Sequence, residues 1–129
     1  MDENCDNVVA PYPSIPSRVT PVFDTRKGIK LVSLSVFNSR KGSTLTIRCQ
    51  GRGCRFGKKS LKITEAKKEL RLEKRLTKRQ RSFKPRQRLT FTLSGPGWST
   101  RVKVFTMRGG HKFPRSNEYC LKNGQKTDC

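Results

Sequence analysis

Thr44-Leu45-Thr46-Ile47-Arg48-Cys49-Gln50-Gly51-Arg52-Gly53-Cys54 is the stretch on which the reading of the fold turns. Leu45, Ile47 and Cys49 alternate with Thr44, Thr46 and Arg48. Successive side chains of an extended strand leave on opposite faces, so this period of two turns the apolar set to a core and the polar set to solvent. Gly51 and Gly53 then let the chain reverse, because glycine enters positive φ without a side-chain clash. The strand therefore ends in a tight loop bracketed by two cysteines.

Working back toward the amino terminus, Ile29 to Phe37 reads as a strand with Val32, Leu34 and Val36 on one face and Ser33 and Ser35 on the other. The turn from Asn38 to Ser43, with Gly42 as its positive-φ residue, would join this strand to the next as a hairpin. Val19, Pro21, Val22 and Phe23 form a short first strand, and Pro21 places it at a sheet edge. Working forward, Leu61 and Ile63, then Leu70 and Leu72, suggest a second hairpin. A single helix over 64–80 is the rival, since its Glu, Lys, Leu and Arg content suits one. Glu65, Glu69 and Glu73 would then stack as like charges at i,i+4, and Arg79 falls where the apolar stripe should continue, so strand is preferred. Lys74 to Arg88 reads as a basic connection ended by Lys84-Pro85. Leu89, Phe91 and Leu93 alternate with Thr90 and Thr92. Ser94-Gly95-Pro96-Gly97 turns, and Trp98 opens an element in which Val102 and Val104 alternate with Arg101, Lys103 and Phe105. Gly109-Gly110 ends it. Six or seven short strands with turn signals about every ten residues predict an all-β fold, a small Ig-like β-sandwich, with a small β-barrel as the alternative. The expected organisation is an extended, proline-containing lead-in over 1–17, the basic sandwich over 18–110, and an irregular tail over 111–129 packed back on it, with a turn at Asn123-Gly124.

The composition bounds what such a fold does. Thirty Lys and Arg stand against nine Asp and Glu in 129 residues, a net charge of +21. Hydrophobic residues make up 32%, against roughly 45–50% in ordinary globular chains, so the core is thin and cross-links are expected to help it. No apolar run is long enough to span a membrane, and the acidic start Met1-Asp2-Glu3-Asn4-Cys5-Asp6 is the reverse of a signal peptide. Residues 52–88 hold sixteen Lys or Arg against Glu65, Glu69 and Glu73. Such a stretch is either a solvated basic face or a surface for a polyanion.

Five cysteines occur, at 5, 49, 54, 120 and 129. A tight glycine turn can bring Cys49 and Cys54 within bridging distance, and a Cys5–Cys120 bridge would tie the lead-in to the body and close a long loop. Cys129 is then odd, free or intermolecular. Zinc held by Cys49, Cys54, His111 and Cys120 competes, although the second pair lacks knuckle spacing. Compartment decides between them, since disulfides persist where the surroundings are oxidising.

Converging acid–base groups are not visible. His111, the single histidine, lies in a Gly-Gly-His-Lys loop, and the glutamates sit among cations as charge balance. Gly51-x-Gly53 lacks the helix and the Lys-Ser/Thr of a phosphate loop, and no Gly-x-Ser-x-Gly elbow occurs. No enzymatic activity and no cofactor are expected. For nucleic acid, Phe56, Phe83, Phe91, Trp98, Phe105 and Phe113 would have to supply stacking faces, yet Phe91 and Phe105 fall on core positions and Trp98 reads as a strand-end cap.

Several blocks recur in a familiar order: Pro11-Tyr12-Pro13; Leu34-Ser35-Val36; 41–54 with its Arg48-Cys49 and Gly51-Arg52-Gly53-Cys54; 101–110 from Arg101-Val102-Lys103-Val104 to Gly109-Gly110; Pro114-Arg115; and Cys120-Leu121-Lys122-Asn123-Gly124. This order resembles a very basic domain of actinobacterial secreted or surface-exposed proteins, marked by Val-Arg-Cys, a Gly-x-Gly-Cys loop and a later Cys-Leu-x-x-Gly. Arg55 stands where the family usually has proline after its second cysteine. The resemblance covers about residues 10–124 and implies a small β-domain appended to exported proteins, an oxidising compartment, and hence Cys49–Cys54 as a disulfide. It implies no activity. The absence of a signal peptide then suggests a domain cut from a longer chain.

The function expected is a non-enzymatic, secreted or cell-surface module in electrostatic contact with an anionic envelope polymer. The alternatives are an acidic glycan or nucleic acid on the same surface, or a spacer with no ligand. The cations assigned are Arg52, Arg55, Lys58, Lys59, Lys74, Arg75, Lys78, Arg79, Arg81, Lys84, Arg86 and Arg88, the arginines adding a planar fork for phosphate or carboxylate.

Overall fold

The computed structural model describes residue 13, residues 15–122 and residues 124–129. In chain order the strands are β1 (Arg18–Asp24), β2 (Ile29–Phe37), β3 (Thr44–Gln50), β4 (Lys58–Lys62), β5 (Glu69–Arg71), β6 (Ser82–Phe83), β7 (Arg88–Ser94), β8 (Thr100–Thr106), β9 (Arg115–Lys122) and β10 (Gln125–Thr127). Two short 3-10 turns, Glu73–Arg75 and Arg79–Arg81, lie between β5 and β6. The strands form two antiparallel sheets. The smaller runs β1-β2-β5, with β6 pairing beside β5 along the same edge of β2, and the larger runs β10-β9-β8-β7-β3-β4.

The core lies between the sheets. Leu45, Ile47 and Cys49 of β3 and Leu89, Phe91 and Leu93 of β7 turn inward as their alternation predicts, and meet Val19, Phe23, Ile29, Leu31, Leu34 and Val36 of the small sheet. Phe23 and Phe105 stitch the layers together with ring centroids 5.4 Å apart, and Phe105 meets Phe91 edge-on at 5.8 Å. Such aromatic pairs add about 0.5–1.5 kcal/mol beyond their burial. A β-sandwich is the architecture expected.

Its wiring differs from the expectation in four places. First, β2 does not keep one phase. Val22 pairs with Ser33 but Phe23 pairs with Leu31, so Val32 is an extra, unpaired residue. One inserted residue moves every later side chain to the opposite face. Ile29 and Leu31 point inward before the bulge, Leu34 and Val36 after it, and Val32, expected inside, is 45% exposed. Ser35, expected to face solvent, is buried beneath Glu69, to which its hydroxyl donates at 2.9 Å.

Second, neither early hairpin forms. β2 and β3 lie in different sheets, as do β4 and β5. The two connections cross between the layers side by side. Asn38 and Ser39 N–H donate to the carbonyls of Lys68 and Lys67, Gly42 N–H donates to Ile63 O, and Ile63 N–H donates to Ser43 O, each at 2.9 Å. Buried Ser39 fastens the crossing through its hydroxyl, which donates to Glu65 O at 2.7 Å and accepts from Lys67 N–H at 2.8 Å. Alternation followed by glycine specifies a reversal of direction, and a reversal within a sheet looks the same in sequence as one between sheets. No α-helix forms over 64–80. Buried Leu72 and Leu76 flank the first 3-10 turn, and Glu73 accepts from Leu34 N–H at 3.0 Å.

Third, the tail is ordered as β9 and β10, which extend the large sheet beyond β8. Fourth, Cys120 is bridged to Cys129, and the Cys5–Cys120 pairing expected from the sequence falls on a residue outside the described ones. Cys129 is neither free nor intermolecular, and Cys5 lies outside the described residues, as do residues 1–12 of the lead-in. Cys49–Cys54 is bridged as expected, with Cα atoms 5.9 Å apart. The four cysteines being so used, the zinc arrangement with His111 does not form. His111 instead sets its Nδ1 2.8 Å from Thr25 O.

Candidate functional site

The outer face of the large sheet is a concavity of about 590 Å³. Its floor follows from register. Gln50, Arg88, Thr106 and Arg115 lie across from one another on β3, β7, β8 and β9. One pair of residues along the strands, Arg48, Thr90, Val104 and Asn117 make a second row, with Lys58 of β4 opposite Arg48. Thr46 and Thr92 begin a third, which reaches Tyr119. Lys126 of β10 closes the far side and stands 4.5 Å from the centre of the Tyr119 ring.

The residue types explain why this face stays open to water. β-Branched threonine suits the pleat and leaves a hydroxyl that both donates and accepts, so the floor is sheet-forming yet polar. Five cations line it, Arg48, Lys58, Arg88, Arg115 and Lys126, and no acidic side chain does. None of the five has an ion pair among the described residues. The carboxylate carried by a strand of this sheet points elsewhere. Glu118 of β9 turns to the opposite face and meets the Arg101 guanidinium at 3.2 Å, while Arg101 also donates to Ile15 O at 3.2 Å. Like charges gathered without counter-charges in a concave wall create a focused positive potential.

The twelve cations assigned from sequence divide among several regions. Lys58 and Arg88 line the concavity. Arg52, Lys84 and Arg86 gather with Pro85 around a second hollow of about 610 Å³ at the loop end of the same sheet. Lys78 and Arg81 border a depression against Lys30, Leu31, Val32 and Ser82 of the small sheet. Lys59 donates to Gln80 Oε1 at 3.2 Å. Arg55 follows the disulfide loop, and Lys74, Arg75 and Arg79 are exposed on or beside the 3-10 turns. Arg48, Arg115 and Lys126, with the threonines, Gln50, Asn117 and Tyr119, are the site residues that sequence reasoning passed over. The signal was present in the outward set Thr46, Arg48 and Arg88, Thr90, Thr92. Counting charge along a face rather than along the chain would have found it.

The aromatic residues do not build a stacking platform here. Phe83, Phe91 and Phe105 are core residues, Phe56 and Trp98 pack against the core, and the Arg40 guanidinium lies 6.0 Å from the Trp98 ring centre. Phe113 is exposed but is not among the lining residues.

The Glu73 carboxyl lies near the crossing, away from this face. Burial pushes its pKa up, but hydrogen bonds from Leu34 N–H and the Arg71 guanidinium outweigh that, and the net shift is below the ordinary carboxylate value.

Fold and site together define an all-β, two-sheet sandwich with two local disulfides and a cationic, threonine-floored outer face. No protein-family model, curated protein or solved structure matches the chain. No helix among the described residues is long and apolar enough to cross a membrane.

Proposed function

We propose that the chain is a non-enzymatic binding module whose large-sheet concavity holds an acidic polysaccharide of the cell envelope, a linear chain bearing repeated carboxylates or phosphates among hydroxyl groups. The observation that carries this reading is the set of five cations on one concave face with no acidic residue among them. Arginine presents a fork that matches carboxylate and phosphate with two hydrogen bonds. The threonines, Gln50 and Asn117 offer donors and acceptors for sugar hydroxyls.

A nucleic-acid strand fits less well. Sequence-tolerant single-strand binding relies on free aromatic faces for the bases, and the lone aromatic of the floor, Tyr119, already stacks under Lys126. Three side chains an acid–base site could draw on are engaged elsewhere: Glu73 with Leu34 and Arg71, Glu118 with Arg101, and His111 with Thr25. Two disulfides suit export to an oxidising compartment, in keeping with the resemblance to exported actinobacterial domains.

The test is binding of polygalacturonate, polyglycerol phosphate and oligo(dT) at about 150 mM salt, with the wild type and an Arg48→Gln/Arg115→Gln variant. Either of the first two should bind in preference to oligo(dT), and the variant should lose about tenfold or more. Preferential oligo(dT) binding would make the surface a nucleic-acid site instead, and binding indifferent to both arginines would remove the concavity from the account.

A further inference from the structure

The second hollow, at the loop end, carries a feature that packing does not require. Lys84-Pro85-Arg86-Gln87 is a tight turn in which Gln87 N–H donates to Lys84 O at 3.3 Å, and Arg86 has φ +74°. Proline fixes a negative φ at the second position, so positive φ at the third makes this a type II turn, whose third residue is ordinarily glycine or asparagine. Among the described residues, glycine stands at seven other positive-φ positions and asparagine at one more, Asn38. His111, the remaining exception, is tied to Thr25 through its ring and its carbonyl. Arg86 is tied only through its backbone, its N–H donating to Met107 O at 3.0 Å. Its exposed guanidinium has no hydrogen bond or ion pair among the described residues. A disfavoured backbone persists where surrounding bonds over-determine it, and such residues cluster at functional sites.

Those bonds come from buried Gln87. Its Oε1 accepts from Lys84 N–H, its Nε2 donates to Arg52 O, both at 2.9 Å, and its backbone carbonyl accepts from Met107 N–H at 2.8 Å. One amide thus clamps the turn to the Cys49–Cys54 loop. Gly51 permits the approach, since a Cβ there would stand 3.2 Å from Gln87 Cα. The Lys84 side chain lies along Gly53, 3.4–3.5 Å from where its Cβ would be. Arg52, Lys84 and Arg86 are thereby brought around one hollow.

This hollow lies past the ends of β3 and β7. Gln50 ends β3 and Arg88 begins β7, in register with one another on the outermost row of the concavity, and Arg52 and Arg86 lie two residues further along each chain segment. We infer that Arg52, Lys84 and Arg86 form a second anion subsite, and that the ligand is a chain long enough to run off the sheet past the ends of β3 and β7 onto the clamped turn. The inference rests on the polysaccharide reading of the sheet face and adds the ligand's direction and minimum extent.

The experiment compares a galacturonate tetrasaccharide with polygalacturonate by calorimetry, using the wild type, Arg86→Gly, Arg52→Gln and the Arg48→Gln/Arg115→Gln variant. Arg86→Gly supplies the residue the turn prefers, so its melting temperature should equal or exceed the wild-type value by about 2–4 °C. It should weaken polygalacturonate binding about five- to tenfold, leave the tetrasaccharide unaffected, and lower the salt slope by about one. Arg52→Gln should do likewise, without the thermal gain. Polygalacturonate binding unchanged in both variants would overturn the second subsite while leaving the sheet face standing. Loss in these variants but not in Arg48→Gln/Arg115→Gln would keep the subsite and overturn the sheet-face reading. A wild type that binds neither of these probes nor polyglycerol phosphate would overturn both.

Discussion

Arg48→Glu should make the protein more stable and a poorer ligand-binder at once. Arg48 and Lys58 are directly opposed on β3 and β4 and share the outward face, an arrangement that destabilises a sheet when the charges are alike. Two unit charges about 6 Å apart in water repel by about 0.7 kcal/mol, and screening at physiological salt roughly halves that. Glutamate at 48 replaces this repulsion with an attraction of equal size, so the change is about 0.7 kcal/mol. Arg88, diagonal to Arg48 across β3 and β7, adds a smaller increment of the same sign. At about 2.1 cal/mol/K of unfolding entropy per residue, this lifts the melting temperature by about 2–3 °C. The assay is a pair of thermal melts, at about 0.15 M and about 1 M salt, with a binding isotherm for the anionic polymer beside them. At the higher salt the screening length shrinks to about 3 Å and most of the gain should vanish. Binding should weaken at both ends of the salt range, with a salt slope reduced by one to two. A variant that melts below the wild type, a gain that survives high salt, or an affinity left intact would each refute the account of this face as cations held together against their own repulsion.

Three further outcomes are expected. Because the Glu73 pKa is depressed in the fold, its contribution to stability is fully present above the ordinary carboxylate value of about 4.3 and is lost as pH falls through the lower folded value; melting temperature followed downward from about pH 6 should show this limb, and Glu73→Gln should flatten it. Cys129→Ser removes the constraint on β10, worth about 2–3 kcal/mol by the chain-entropy estimate for so short a loop; amide exchange at residues 125–127 should quicken, and polymer binding should fall as it does in Lys126→Gln. The bulge in β2 predicts opposite fates for neighbours of similar type: Val32→Lys should change stability by no more than about 0.5 kcal/mol, whereas Leu34→Ala should cost about 2–5 kcal/mol in denaturant titrations.

Legibility followed the physics of each segment. β3 and β7 are central strands with one buried and one wet face, so alternation stated both their state and their orientation. The β7–β8 hairpin was readable because its turn, Ser94-Gly95-Pro96-Gly97, joins strands that stay in one sheet. The bulge at Val32 was not, because an inserted residue leaves no mark in composition. Nor was the layer change after β2, since it depends on Ser39 and the 63–68 segment meeting the 38–43 segment across about twenty-five residues of chain. β9 was missed for another reason: of Arg115, Ser116, Asn117, Glu118, Tyr119 and Cys120, only Cys120 is buried, so a strand near the sheet edge shows no hydrophobic period. The site fell between these cases. Its threonine floor was legible as outward positions, but the cations on β9 and β10 join it only through a sheet order that local pattern does not encode.

The two disulfides bear on what the fold is holding in place. A bridge that stabilises a thin core most effectively closes a long loop, because the entropy removed from the unfolded chain grows with loop length. These span only five and nine residues, and each sits at a cation-bearing end of the large sheet. Cys49–Cys54 fixes the exit of β3, between Arg48 on the sheet face and Arg52 at the clamped turn. Cys120–Cys129 pins β10 onto β9 and so keeps Lys126 over Tyr119. A three-residue edge strand carrying one lysine toward four other cations would otherwise tend to fray, because both its short length and the local potential favour release. Short bridges at these two places act on position more than on global stability. Their placement holds like charges where mutual repulsion would disperse them, which is what the proposed anionic ligand would require of the fold.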